Sequence, residues 1–222
     1  MTALSAMPRL LEVILSALLL LVTYWFIVTR RLSTAVAAYA VQSWLLGLAA
    51  LILYWDTRLL GLLVFGLLII VAKGILIPSL FRRQVAFALV AGRETAYYVR
   101  FPTALLIGTA LSLVGLLAAT DLPFVPQLLP PAIAGIALAV FLLGLFTTIA
   151  RRDAILQVTG LLAAENGLLL LSLVVAPQLS LLIEVAIVLD VLIAVLVMGF
   201  LVARMRDAGT GTDTSELSRL RG

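Results

Sequence analysis

The chain has 222 residues, 64% of them hydrophobic, with a formal net charge of +4 and neither Cys nor His. A mean hydropathy of +1.25 places it outside the composition of soluble domains and among polytopic membrane proteins. The missing residue types exclude a disulfide framework, iron–sulfur clusters, His- or Cys-ligated haem, the usual zinc centres and any His-dependent nucleophilic pair built from this chain.

Seven apolar runs are each long enough to cross a bilayer of about 30 Å at 1.5 Å per residue. In chain order they are Leu10–Val28, Thr34–Tyr54, Leu59–Leu80, Pro102–Ala119, Leu129–Ala150, Ala154–Val175 and Leu179–Ala203. The first reads as a retained helix rather than a cleavable signal, because it ends in Arg30-Arg31 with no small-residue cleavage site before it. Gln84–Arg100, with Arg93 and Glu94, reads as a cytoplasmic loop carrying a short interfacial helix anchored by Tyr97 and Tyr98, or as a downward extension of the fourth helix. The other connections are short and rich in turn residues: Asp56-Thr57, Asp121–Gln127 with Pro123 and Pro126, and Ala176–Gln178. None of them can hold a soluble catalytic domain. The polar tail Asp207–Gly222 reads as solvated or docked on a cytoplasmic partner.

Basic residues sort by side. One side carries Arg30-Arg31, Arg82-Arg83, Arg93, Arg100, Arg151-Arg152, Arg204, Arg206, Arg219 and Arg221; the other carries only Arg9 and Arg58. The positive-inside rule then puts the N-terminus outside and the C-terminus in the cytoplasm, which requires an odd number of helices. The expected fold is an all-α membrane bundle. It divides into a four-helix half (1–128), a three-helix half (129–206) and the tail (207–222).

The buried charges are the functional signal. A carboxylate at the bilayer centre costs roughly 2.5–3.5 kcal/mol on insertion scales, so it needs a partner, a water-filled cavity or a proton path. Lys73 lies about 15 residues into the third helix, too deep to snorkel easily, with Pro78 behind it as a candidate kink. It reads either as a titratable group on a proton route or as the partner of an acid such as Glu165. Glu165 lies about 18 Å along the sixth helix. Asn166 points about 100° away from it, and Gly160 and Gly167 leave room for close helix approach or water. On the seventh helix Asp190 lies near the centre and Glu184 nearer the outer end, about 120° apart around the axis. Glu12 reads as interfacial. Proton transfer is expected at Glu165, Asp190, Glu184 and Lys73, with Asn166 in support.

The last three helices resemble the small three-helix K-subunit of bacterial complex I. Arg151–Gly167 (RRDAILQVTGLLAAENG) carries the double-Arg start, Gly160-Leu161 and Asn166 of that subunit's second helix, with its acid at Glu165 instead of at the position of Leu162, and Asp190 falls where its third helix has an acid. Over the whole chain, the four extra helices, Lys73 and the Ala-Glu-Asn-Gly element are similar to the hydrogenase-4 component E family. That resemblance implies a non-catalytic membrane subunit of a proton-translocating group 4 hydrogenase in a bacterial or archaeal cell membrane. No cofactor is expected in this chain; nickel–iron and iron–sulfur centres would lie in partner subunits. The implied partners are antiporter-like membrane subunits, a complex I-like membrane anchor, a cytoplasmic redox module and the lipid bilayer, with no nucleic acid. The alternatives are a subunit of a multi-subunit cation/proton antiporter, a stand-alone transporter and a purely structural scaffold.

Overall fold

The computed structural model describes residues 3–29, 31–82, 99–121, 129–151 and 154–175. Every element among them is helical. They are α1 (Ala3–Val28), α2 (Leu32–Thr57), α3 (Leu60–Arg82), α4 (Phe101–Ala118), α5 (Pro131–Ala150) and α6 (Ala154–Val175). All six contain a stretch long and apolar enough to cross a membrane. Helices are the economical answer for such runs, because each satisfies its own backbone groups without water. The expected seventh run Leu179–Ala203, the expected interfacial segment around Tyr97 and Tyr98, and the tail lie outside the described residues.

The helix limits follow local chemistry. Prolines open α4 (Pro102) and α5 (Pro131) within their first two positions, where a missing N–H is harmless. α2 ends at Arg58, a left-handed residue with φ 60°, whose guanidinium lies 4.6 Å from the Trp55 ring centre. α1 begins seven residues before the expected Leu10, because nothing between Ala3 and Leu10 stops it except Pro8, and only about one turn precedes that ring. α6 has the expected limits.

The packing order is α1 against α2 and α5, α2 against α3 and α6, and α5 against α4 and α6. α4 is peripheral: 22% of its apolar window is buried, against 61% for α2 and α6. Leu106, Leu113 and Leu117 of α4 face outward. Two main apolar clusters fill the interior. One contains Leu19, Leu46, Phe65, Ile69, Ile133, Val140 and Leu170. The other contains Phe26, Val36, Tyr39, Ile77, Phe81 and Leu162. A small third cluster joins Ile27, Ala104 and Leu143 under α4.

Small residues let α5 and α6 approach until backbones touch, as the glycines of α6 led one to expect. A Cβ on Gly144 would sit 2.3 Å from the Ala164 nitrogen, and one on Gly167 would sit 2.5 Å from the Phe141 nitrogen. Thr148 Oγ1 crosses the same seam to the Gln157 carbonyl at 3.2 Å.

Gly144→Ala is expected to cost about 1–3 kcal/mol, as overpacking does, because the atoms in its way are backbone. Gly108→Ala should cost less, since its nearest obstacle is the Ile27 side-chain end at 3.0 Å. Unfolding of the two variants by denaturant in one detergent checks the ranking.

Candidate functional site

One group of the polar residues inside the bundle occupies a single level. In each of four helices they fall where one apolar cluster stops and the other starts. On α1, Thr23 lies between Leu19 and Phe26. On α2, Gln42 and Ser43 lie between Tyr39 and Leu46. On α3, Lys73 lies between Ala72 and Ile77, and on α6, Glu165 and Asn166 lie between Ala163 and Leu169. The result is a polar layer between two apolar ones.

Lys73 and Glu165, two of the expected site residues, meet in this layer. Lys73 Nζ is 2.9 Å from Glu165 Oε2, with the lysine side chain fully buried and the glutamate side chain 20% exposed. The contact ties α3 to α6. It realises the pairing that was one of the two readings of Lys73. Removing one partner of such a pair leaves an uncompensated buried charge, whereas the intact pair is close to neutral in net stability.

Asn166 points elsewhere, as its 100° offset requires. Its Nδ2 donates to Gln42 Oε1 at 3.0 Å and to Ser43 Oγ at 3.2 Å. Gln42 Nε2 donates to Thr23 Oγ1 at 2.9 Å, and Thr23 Oγ1 donates to the Leu19 carbonyl at 2.7 Å. Adjacent residues of α6 therefore hold different neighbours: Glu165 holds α3, and Asn166 holds α2 and through it α1. Asn166 Oδ1 has no hydrogen-bond partner among the described residues.

Lys73 lies in a π-helical stretch, Ile69–Leu76. Pro78 lies two residues beyond it. Proline has no N–H for the carbonyl four residues back, which is that of Gly74. That carbonyl instead accepts the Trp44 indole N–H at 3.3 Å. The irregularity expected at Pro78 thus appears on its N-terminal side, as wide turns around the lysine. π-Helical turns inside α-helices are frequent at functional sites.

Sequence reading missed Thr23, Gln42 and Ser43. The signal was present: Gln42 stands in the middle of an apolar run, where a polar side chain needs a partner. Arg151 is a second omission. Read only as one of the basic residues marking one side, it is 1% exposed. Its guanidinium donates to the carbonyls of Phe26 and of Thr29, the latter at 2.8 Å, so it closes the C-terminal end of α1. Glu12, read as interfacial, is 3% exposed, enclosed by Ile52, Leu53 and Asp56 of α2 and by Leu129. Asp190 and Glu184 lie outside the described residues.

Lys73→Met should destabilise the protein by about 3–5 kcal/mol through the stranded Glu165 charge, and adding Glu165→Leu should recover most of the loss. Equilibrium unfolding of the single and double variants in detergent measures both numbers. Full additivity of the two substitutions would show that the pair is uncoupled.

No family model matches the chain, and no solved structure matches it. An uncharacterized protein of Mycobacterium tuberculosis (strain ATCC 25618 / H37Rv), Rv0085, is 30% identical to it over 164 residues, covering 72% of this chain and 73% of that protein. With that identity over nearly three quarters of both chains, the protein belongs to the same family as Rv0085.

Proposed function

We propose that this chain is a non-catalytic membrane-arm subunit of a proton-translocating, complex I-related oxidoreductase of the group 4 hydrogenase type. In this reading it has seven spans in a bacterial or archaeal cell membrane, with the N-terminus outside and the C-terminus cytoplasmic. Antiporter-like membrane subunits and a complex I-like anchor lie beside it, and a cytoplasmic module carries the nickel–iron and iron–sulfur centres.

The observation that carries the proposal is the buried Lys73–Glu165 pair at the centre of a polar layer that crosses an otherwise apolar bundle. A pair of this kind has two charge arrangements. A proton delivered to Glu165 removes the lysine's counter-charge, so a change at one side chain is felt at the other through the field. Glu165 is the less enclosed partner, with a side chain 20% exposed against a fully buried lysine. Lys73 also stands on π-helical turns, which are frequent at functional sites. Asp190 and Glu184 extend the route on the last helix.

The same pair favours a second reading, a scaffold in which the ions only lock α3 to α6. The two readings part at Glu165→Gln, which keeps the side chain's shape and removes its charge. In the proton-path reading, complexes carrying it assemble and lose most proton translocation, by about a hundredfold, the lower end of general acid–base contributions. In the scaffold reading, assembled complexes translocate at the parent rate. Mass spectrometry of what co-purifies with the tagged chain in mild detergent tests the assembly itself. Antiporter-like subunits with a redox module support the proposal; antiporter-like subunits without one point to a cation/proton antiporter; the chain alone, folded and monodisperse, overturns both.

A further inference from the structure

Glu12 stands apart from the polar layer. It lies eleven residues before Thr23 on the same helix, about 16 Å along the axis, with Leu19 of the first apolar cluster between them. Its side chain is 3% exposed and its Oε1 has no hydrogen-bond partner among the described residues. The small cavity it lines is closed by Pro8 and Arg9 of its own helix, Ile52, Leu53 and Asp56 of α2, and Leu129 just before α5. The charged groups facing it are therefore Arg9 and Asp56, both on the exposed rim, and the third element contributes only a leucine.

We infer that Glu12 is a proton-exchange site at the Ala3 end of the bundle, a carboxyl that binds a proton from water at the rim and releases it there. An ionised carboxylate with one oxygen unpartnered in an apolar wall is costly, and the group is relieved by binding a cation. The cavity selects which one. Its volume is about 10 Å³, room for about one water at most. A sodium ion needs several oxygen ligands, and the described lining supplies two carboxyl groups and an arginine that repels metal cations. A proton needs one oxygen. When the proton leaves for water at the rim, a carboxylate is left at position i+3 from Arg9, on the same helix face, where the guanidinium can turn in to pair with it. Asp56, the second carboxylate at the rim, favours the return of the proton. This inference does not rest on the proton-path proposal: it concerns one carboxyl, remote from Lys73 and Glu165, and is read without any complex.

The test is labelling of the purified full chain in detergent with dicyclohexylcarbodiimide, which attacks protonated carboxyls in apolar surroundings, followed by peptide mass spectrometry. An adduct on Glu12 is expected at low pH, with a labelling rate that falls about tenfold per pH unit above its titration point, as the protonated fraction does. Asp56→Asn, by removing a like charge, should move that fall to lower pH, and Arg9→Gln should move it to higher pH. Neither variant alters the labelled residue or opens the core, so both report on a folded protein. Absence of the Glu12 adduct at every pH, or labelling that does not change with pH, would overturn the inference. Protection by sodium chloride but not by choline chloride would also overturn it, in favour of a metal-cation site.

Discussion

The register of four of the helices depends on directional polar contacts at one depth. Its apolar clusters are made largely of Leu, Ile, Val and Ala, and such surfaces pack acceptably in many registers. Among apolar helices in lipid, moreover, burial of one against another gains little that lipid contact would not. Hydrogen bonds, charge-assisted ones included, are different, because they hold only within narrow limits of distance and angle. The Lys73–Glu165 contact fixes the slide and rotation of α3 against α6. The Asn166, Gln42 and Thr23 chain does the same for α6, α2 and α1. Four helices are thus aligned by six side chains, and the leucines above and below fill the space so defined. A buried ionic pair is weak evidence for net stability, but it is a good device for choosing one arrangement among many.

Much of this was legible in the chain, and the reasons differ by feature. Five of the six described helices run close to the expected apolar stretches, because in an apolar run no local signal competes with the helix except proline and charge. α1 departs at its start, where Pro8 was too near the end to stop it. The charged part of the polar layer was visible because Lys73 and Glu165 are conspicuous in apolar surroundings. Of its neutral part, Asn166 was visible, Gln42 gave a signal that was passed over, and Thr23 and Ser43 gave little. Thr, Ser and Gln occur in membrane helices with their own backbone as partner, as Ser16 does with the Glu12 carbonyl, so Thr23 and Gln42 acquire meaning only when a second helix places Asn166 opposite them. Arg151 shows the converse error. An arginine pair at a helix end is a reliable topology signal, but the signal is statistical and does not say which member of the pair stays in water. Arg151 turns inward because the carbonyls ending α1 have no helical donors left.

The π-helical stretch of α3 follows from a conflict between two neighbouring demands. Pro78 cannot donate to the Gly74 carbonyl and its ring crowds that oxygen in a regular helix. Widening the turns before Pro78 draws the backbone away from the clash, and the Ile77 N–H bonds to the Ala72 carbonyl, five residues back. The indole of Trp44 reaches the freed Gly74 carbonyl, so the α2–α3 seam absorbs the defect. Gly74 is where this is feasible: a Cβ there would sit 2.9 Å from the Trp44 nitrogen. Lys73 is the residue immediately before that glycine. Its position over an irregular backbone is thus a consequence of proline and tryptophan chemistry next to it.

The unequal burial of the two ions bears on how the pair can act. With both partners at the same depth and equally enclosed, water could reach neither, and the pair would be inert whatever its chemistry. Here the lysine is enclosed and the glutamate keeps a fifth of its side-chain surface open. The two ions thus differ in enclosure, and the lysine is the more deeply held. At an effective dielectric of about 20, losing a counter-charge at roughly 3 Å changes the lysine's energy by several kcal/mol, an amount comparable with the few kcal/mol separating two conformations of a helix or a side chain. Asn166 and Gln42 hold the glutamate's helix by hydrogen bonds to neutral groups, which do not depend on the charge of the pair. The polar layer thus combines one ion pair with a frame of neutral hydrogen bonds.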